Sequence, residues 1–386
     1  RLRLGRGAVR RRRALAGAVA ALASASCATP TRRVAVGRSL FEAVREAHDG
    51  EVIEVEPGAH FGQTAVITQS RLTLRGVGVR PVLHAAGQNA EGKALIVVRG
   101  GDIRIENLEM RGARVASGNG AGIRLEGGRL QVERCAFFDN EMGLLTANRA
   151  DIELTVHDCE FGEAPRHIGL LHHLLYVGRI GRFEIRGSRL QGGFRGHLIK
   201  SRARLNHIHA NFAVDDETGE ASYELDLPNG GVAWVVGNVF GQAARTQNPA
   251  LVAFGAESDP HADSLLVMAH NTLVNRAASD QAEFVKVWRD RLPAAAEVIL
   301  SNNLVFGPGR FDGSAWAGSI GNLRVDTPPL GGFHARSAFT LVGDGVAPPA
   351  PVRGVPLAPV EEFRFPVGTR PLRQRSHWRP GAFQDD

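Results

Sequence analysis

Lysine is nearly absent from this chain. Of its 46 basic residues only Lys93, Lys200 and Lys286 are lysine, so almost all of the positive charge is arginine. Cysteine is as scarce, at three in 386 residues, which excludes a disulfide framework. The separation of Cys135 from Cys159 is not that of a metal knuckle either. Tyrosine occurs twice, as Tyr176 and Tyr223. No apolar run approaches the roughly 20 residues of a membrane-spanning helix. The net charge of +6 looks like a nucleic-acid signal, but the opening RLRLGRGAVRRRR holds seven arginines. Without that stretch the chain is near neutral, so nucleic acid is not expected as a partner, whereas a groove for an acidic substrate is compatible.

Residues 1–30 read as an export signal: a basic stretch to Arg13, the small apolar run ALAGAVAALASA, and Ala23-Ser24-Ala25 as a cleavage site. Export to the periplasm or beyond is therefore expected. A lipid anchor through Cys27 is the minor variant, and a disordered basic tail is the alternative.

The remainder contains a repeating phrase. IRIENLEM, LQVERCAFF, LTVHDCEF, FEIRGSRL, NHIHANFA, AWVVGNVF, LVMAHNTL and VILSNNLV each hold a short alternating strand, then Asn, Ser or Cys, then a second apolar step. The aligned positions are Asn107, Cys135, Cys159, Ser188, Asn211, Asn238, Asn271 and Asn303. A period near two, with Val, Ile and Leu ending in Gly or Asn, points to strands rather than helices. The expected fold is therefore all-β, a β-solenoid whose asparagines stack from rung to rung. Cys135 and Cys159 then fall on consecutive rungs, either as buried thiols or as a disulfide. Residues 39–48 read as a helix, and the segment 39–76 resembles the N-terminal cap of right-handed parallel β-helix proteins. Residues 31–310 form the expected β-helix domain. The Pro/Gly-rich residues 311–386 are expected as an irregular tail packed along it.

The least repetitive block runs from Pro165 to Asn248 and holds both tyrosines, with Lys200 at its centre. Tyr176, Lys200, Glu224 and Asn248 follow one another at 24 residues (200 − 176, 224 − 200, 248 − 224), about one rung. They are expected to form one outward column, with Leu225 and Leu227 inward and Glu224 and Asp226 outward. A face of Lys, Arg, His, Tyr and carboxylates suits an extended anionic sugar chain. Cleaving a uronate polymer by β-elimination needs a group that neutralises the carboxylate, a base for the C5 proton and an acid for the leaving oxygen. Lysine can be a base only if neighbouring cations or burial help it to lose its proton.

HLIKSRARLNHIHANF (197–212) and YELDLPNGGVAWVVGNVF (223–240) resemble the lysine-serine segment, and the strand-turn segment after it, of chondroitinase B-like and alginate lyases, polysaccharide lyase family six. The wider chain resembles the pectate-lyase-like superfamily of parallel β-helices. The resemblance implies that Lys200 is the base. It stops at Lys200 and Ser201: Arg195 or His197 stands where the family has a calcium-binding glutamate, and Pro228 where it has a catalytic arginine. The candidate catalytic residues are Lys200, Tyr176, His173, His197 and Arg202. The candidate substrate-binding residues are Tyr223, Glu224, Asp226, Asn229 and Asn248. The sequence assigns no metal ligand and calls for no cofactor, although calcium remains compatible. An anionic polysaccharide is the expected partner, and the chain is expected to be a monomer. The alternatives are a C5 epimerase, a polygalacturonase-type hydrolase with converging carboxylates, and a non-catalytic carbohydrate-binding or structural β-helix.

Overall fold

Alternating apolar residues give each rung a pleated inner face, and the chain winds these faces around one core. The computed structural model describes residues 30–215, 218–279, 281–312, 318–325, 351–373 and 377–385, with Phe339, Ala347 and Arg375. The expected signal segment, and most of residues 313–350, lie outside the described residues.

Three parallel sheets form a right-handed β-helix. The first has 11 strands, from Thr31–Val34 to Glu297–Ser301. The second has 11, from Ala59–Phe61 to Leu323–Val325, and the third has nine, from Ala65–Ile67 to Glu283–Val287. The second sheet therefore continues past residue 310. Inward residues repeat in register, as in Ile96, Ile123, Leu144, Leu175, Ile199, Leu225, Val252 and Val285 along the third sheet. Phe137 stacks on Phe161 inside the helix at 4.7 Å. Each such buried side chain contributes about 1.5–3 kcal/mol.

The short helix Leu40–Arg45 closes the N-terminal end. Ser39 caps it by accepting from the Glu42 amide, and Leu40 and Val44 are buried. Gln69 donates to the carbonyls of Val44 and Ala47, which satisfies the helix's far end.

A buried asparagine ladder runs up one corner. The Oδ1 atoms of Asn238, Asn271 and Asn303 accept the backbone amides of Asn211, Asn238 and Asn271 at 2.9, 3.0 and 2.9 Å. Their Nδ2 atoms donate to carbonyls of the preceding rung, Ile208, Val235 and Met268. Asn322 continues the ladder, and Ser188 and Cys159 complete it below Asn211. Asn107 does not belong to it. The corner residue just before the ladder position adopts a positive φ, and Asn107 (51°) falls there with Arg134, Asp158, Ala210, His270 and Asn302. Leu108 occupies the ladder position beside Cys135. Cys135 and Cys159 are both free buried thiols, so the disulfide alternative is not realised.

The described C-terminal residues pack on the outer faces of the first two sheets. Phe363, Ala382 and Phe383 join Phe212, Val214 and Val239, while Leu357 joins Trp234 and Val236. Gly381 donates to the Asn302 carbonyl and Ala382 to Thr272 Oγ1. No described helix is long and apolar enough to cross a membrane.

Candidate functional site

The outer face of the third sheet carries the candidate site. Parallel register brings together residues far apart in sequence. Tyr176 pairs with Lys200, and Lys200 with Asp226, in one outward column. Two positions before each strand stand His173, His197 and Tyr223 (175 − 2, 199 − 2, 225 − 2). Their rings lie 4.7 and 4.9 Å apart, centroid to centroid. Arg202 follows Lys200 on the same rung. The result is a patch three rungs long, roughly 10 Å between its outer strands.

Lys200 Nζ lies 3.1 Å from Asp226 Oδ2 and 2.9 Å from Glu257 Oε1. Arg202 holds Glu257 through both of its oxygens, at 2.7 and 2.5 Å, and also donates to the Tyr176 hydroxyl. His197 Nδ1 approaches Asp226 Oδ2 at 3.0 Å, although not aligned as a hydrogen bond. Burial raises the Asp226 carboxyl, but His197 and Lys200 outweigh it and hold the group below its ordinary range. Burial likewise raises Glu257, and Lys200 and Arg202 overcome it. Both carboxylates are therefore ionised. His173 is held well below its ordinary range, first by burial and then by His197, Lys200 and Arg202. The His197 amide donates to His173 Nδ1 at 2.9 Å, so the neutral ring carries its proton on Nε2. Burial and Asp226 push the Tyr223 phenol up.

Several buried polar atoms here find no hydrogen-bond partner: Asp226 Oδ1, Arg202 Nε and Asn229 Oδ1. Such atoms are uncommon in folded proteins.

Two expected members stand elsewhere. The rung from Lys200 to the next strand takes 26 residues (226 − 200), so Asp226, not Glu224, meets Lys200. Glu224 precedes the strand at the corner, where the chain still faces inward. It is fully buried in register with Leu198 and Leu251, and neither of its oxygens is hydrogen-bonded. Burial, with Asp215 adding to it, pushes this carboxyl well up. Asn248 lies on the loop before Ala250–Phe254, outside the column, where its amide reaches Ser222 Oγ. Asn229 donates to the carbonyls of Ser258 and Asp259 and so fixes the loop that carries Glu257. Ser201 is buried and bonds Asn206 Oδ1 at 2.6 Å, a core contact.

Glu257 is the member that sequence reasoning missed. It comes from an irregular loop 57 residues beyond Lys200 and shares no repeat position. Among the described residues no group of three or more His, Cys, Asp or Glu is arranged to hold a metal ion. No protein-family model, curated protein or solved structure matches the chain.

Proposed function

We propose that this is an exported enzyme of the pectate-lyase-like superfamily, a polysaccharide lyase that cleaves a uronic-acid glycan by β-elimination. One observation carries the reading: Lys200, Arg202, Tyr176, His173 and His197 converge outward on neighbouring rungs, while both nearby carboxyls are ionised. A glycoside hydrolase needs one carboxyl kept protonated as its acid. Asp226 and Glu257 are each held below the ordinary range, which disfavours the hydrolase.

In the elimination the C5–H bond breaks, its electron pair forms the C4–C5 double bond, and the C4–O bond breaks. Lys200 and Arg202 supply positive charge against the substrate carboxylate, which makes C5–H acidic. The family resemblance casts Lys200 as the base. Its Nζ is held between two carboxylates, so in this reading Lys200 acts electrostatically. Tyr176, whose oxygen accepts a hydrogen bond from Arg202, takes the C5 proton. That proton passes to the leaving oxygen, to which His173 Nε2 donates a hydrogen bond, so the ring stays neutral.

The test is a screen of alginate, glucuronan, pectate and glycosaminoglycans. It follows the ultraviolet absorbance of an unsaturated uronate, with and without chelator, for wild type and Lys200→Ala. New absorbance on one polymer, lost in the variant, is expected. No absorbance on any polyuronate overturns the lyase, and binding without turnover would leave the non-catalytic reading in its place.

A further inference from the structure

All three lysines of this chain lie on the third sheet or at its edge. Lys93 immediately precedes the strand Ala94–Val98 and pairs with Glu91 and Glu126. Lys200 pairs with Asp226 and Glu257. Lys286 differs, because among the described residues it faces no carboxylate within ion-pair reach. Its Nζ instead lies over the Trp288 ring, 5.1 Å from the centroid. An indole face attracts the ammonium without cancelling its charge. Trp288 itself is only partly buried.

The register places this pair relative to the site. Asp226 pairs with Ala253, and Ala253 with Lys286, so Lys286 continues the Tyr176–Lys200–Asp226 column. Between Asp226 and Lys286 the column holds only Ala253, which is itself fully buried. At about 4.8 Å per rung, Lys286 stands roughly 14 Å from Lys200 along the solenoid axis.

We propose that Lys286 and Trp288 form a distal subsite for a second carboxylate of the same polyuronate chain, which lies along the solenoid rather than around it. This rests on the uronate reading of the Lys200 site. The uncompensated ammonium takes the carboxylate, and the indole holds Lys286 in place and offers apolar surface to the sugar ring. The occupant must be anionic at intervals along its length and long enough to bridge the two lysines.

Calorimetric titration with defined oligomers of the polyuronate that the wild type binds, from the shortest bound upward, tests the subsite. Lys286→Gln and Trp288→Ala are compared with wild type, and circular dichroism checks the fold. Both variants are expected to lose affinity on the order of tenfold for oligomers that span the two lysines. Shorter oligomers should bind as to wild type, and Lys286→Arg should restore the long-chain affinity. Unchanged affinity at every length, or an equal loss at every length, overturns the subsite while leaving the uronate reading intact. A wild type that binds no polyuronate overturns both.

Discussion

Replacing Lys200 with arginine separates two roles that alanine cannot. Arginine keeps the positive charge between Asp226 and Glu257 but cannot give up its proton to serve as a base. If Lys200 acts electrostatically, Lys200→Arg should keep activity within roughly tenfold, whereas Lys200→Ala should lose about 10²–10³ in kcat. If Lys200 is the base, both variants should fall together by about 10²–10⁴. The alanine variant also has a stability cost that must be measured beside its activity. Asp226 is 2% exposed and would keep only His197 within ion-pair distance among the described residues. Removing one partner of a buried ion pair costs about 3–5 kcal/mol. Glu257 retains Arg202 and is more exposed, so its share is near zero. A loss of roughly 3 kcal/mol lowers Tm by about 4 °C in a chain of this size. The assay is the ultraviolet rise of the unsaturated product at saturating substrate, with a thermal melt of each variant. A folded but inactive Lys200→Arg would return Lys200 to the role of base. An active, folded Lys200→Ala would remove it from the chemistry altogether.

Glu224→Leu should stabilise the protein by roughly 2 kcal/mol at neutral pH, since it restores the apolar column beside Leu198 and Leu251. The native carboxyl is raised, so its neutral form is fully compatible with folding below the ordinary glutamate value of 4.5, and stability drains as pH rises toward the folded value. Urea unfolding at acidic and neutral pH should therefore show the gain growing with pH, and a gain independent of pH would contradict the buried neutral carboxyl. Asn238→Ala should cost about 2–4 kcal/mol, because it strands the Asn211 amide and the Ile208 carbonyl inside the solenoid. Chemical denaturation reads that loss directly, and a change under about 0.5 kcal/mol would mean that the ladder contributes little.

The solenoid was legible in the sequence because its cause is local. Val, Ile and Leu alternate within single strands, and the Asn, Ser and Cys positions recur at one corner. The pairing of Tyr176 with Lys200 was legible for the same reason, since that rung carries no insertion. Glu224 was misplaced because the loop after Val214 lengthens the next rung by two residues, and because the chain is still turning when it reaches position 224. Strict alternation fails at such a corner. Asn107 was misaligned by one because asparagine suits both the left-handed corner and the ladder beside it. Glu257 had no local signature, since a loop residue is brought to Lys200 only by the stacking of rungs.

The strand Glu283–Val287 ends the third sheet, so among the described residues it has one neighbouring strand, with only the bridge to Arg310 on its other side, where those of the candidate site have two. In a stack held by nearest-neighbour contacts, a terminal member opens before an interior one. Lys286 and Trp288 therefore ride on the loosest strand of the binding face, and the histidine–tyrosine–lysine patch on firmer ones. A long chain seated across both would clamp that end shut. Hydrogen exchange at Phe284–Val287 should slow when a long oligomer is bound and stay unchanged with a short one.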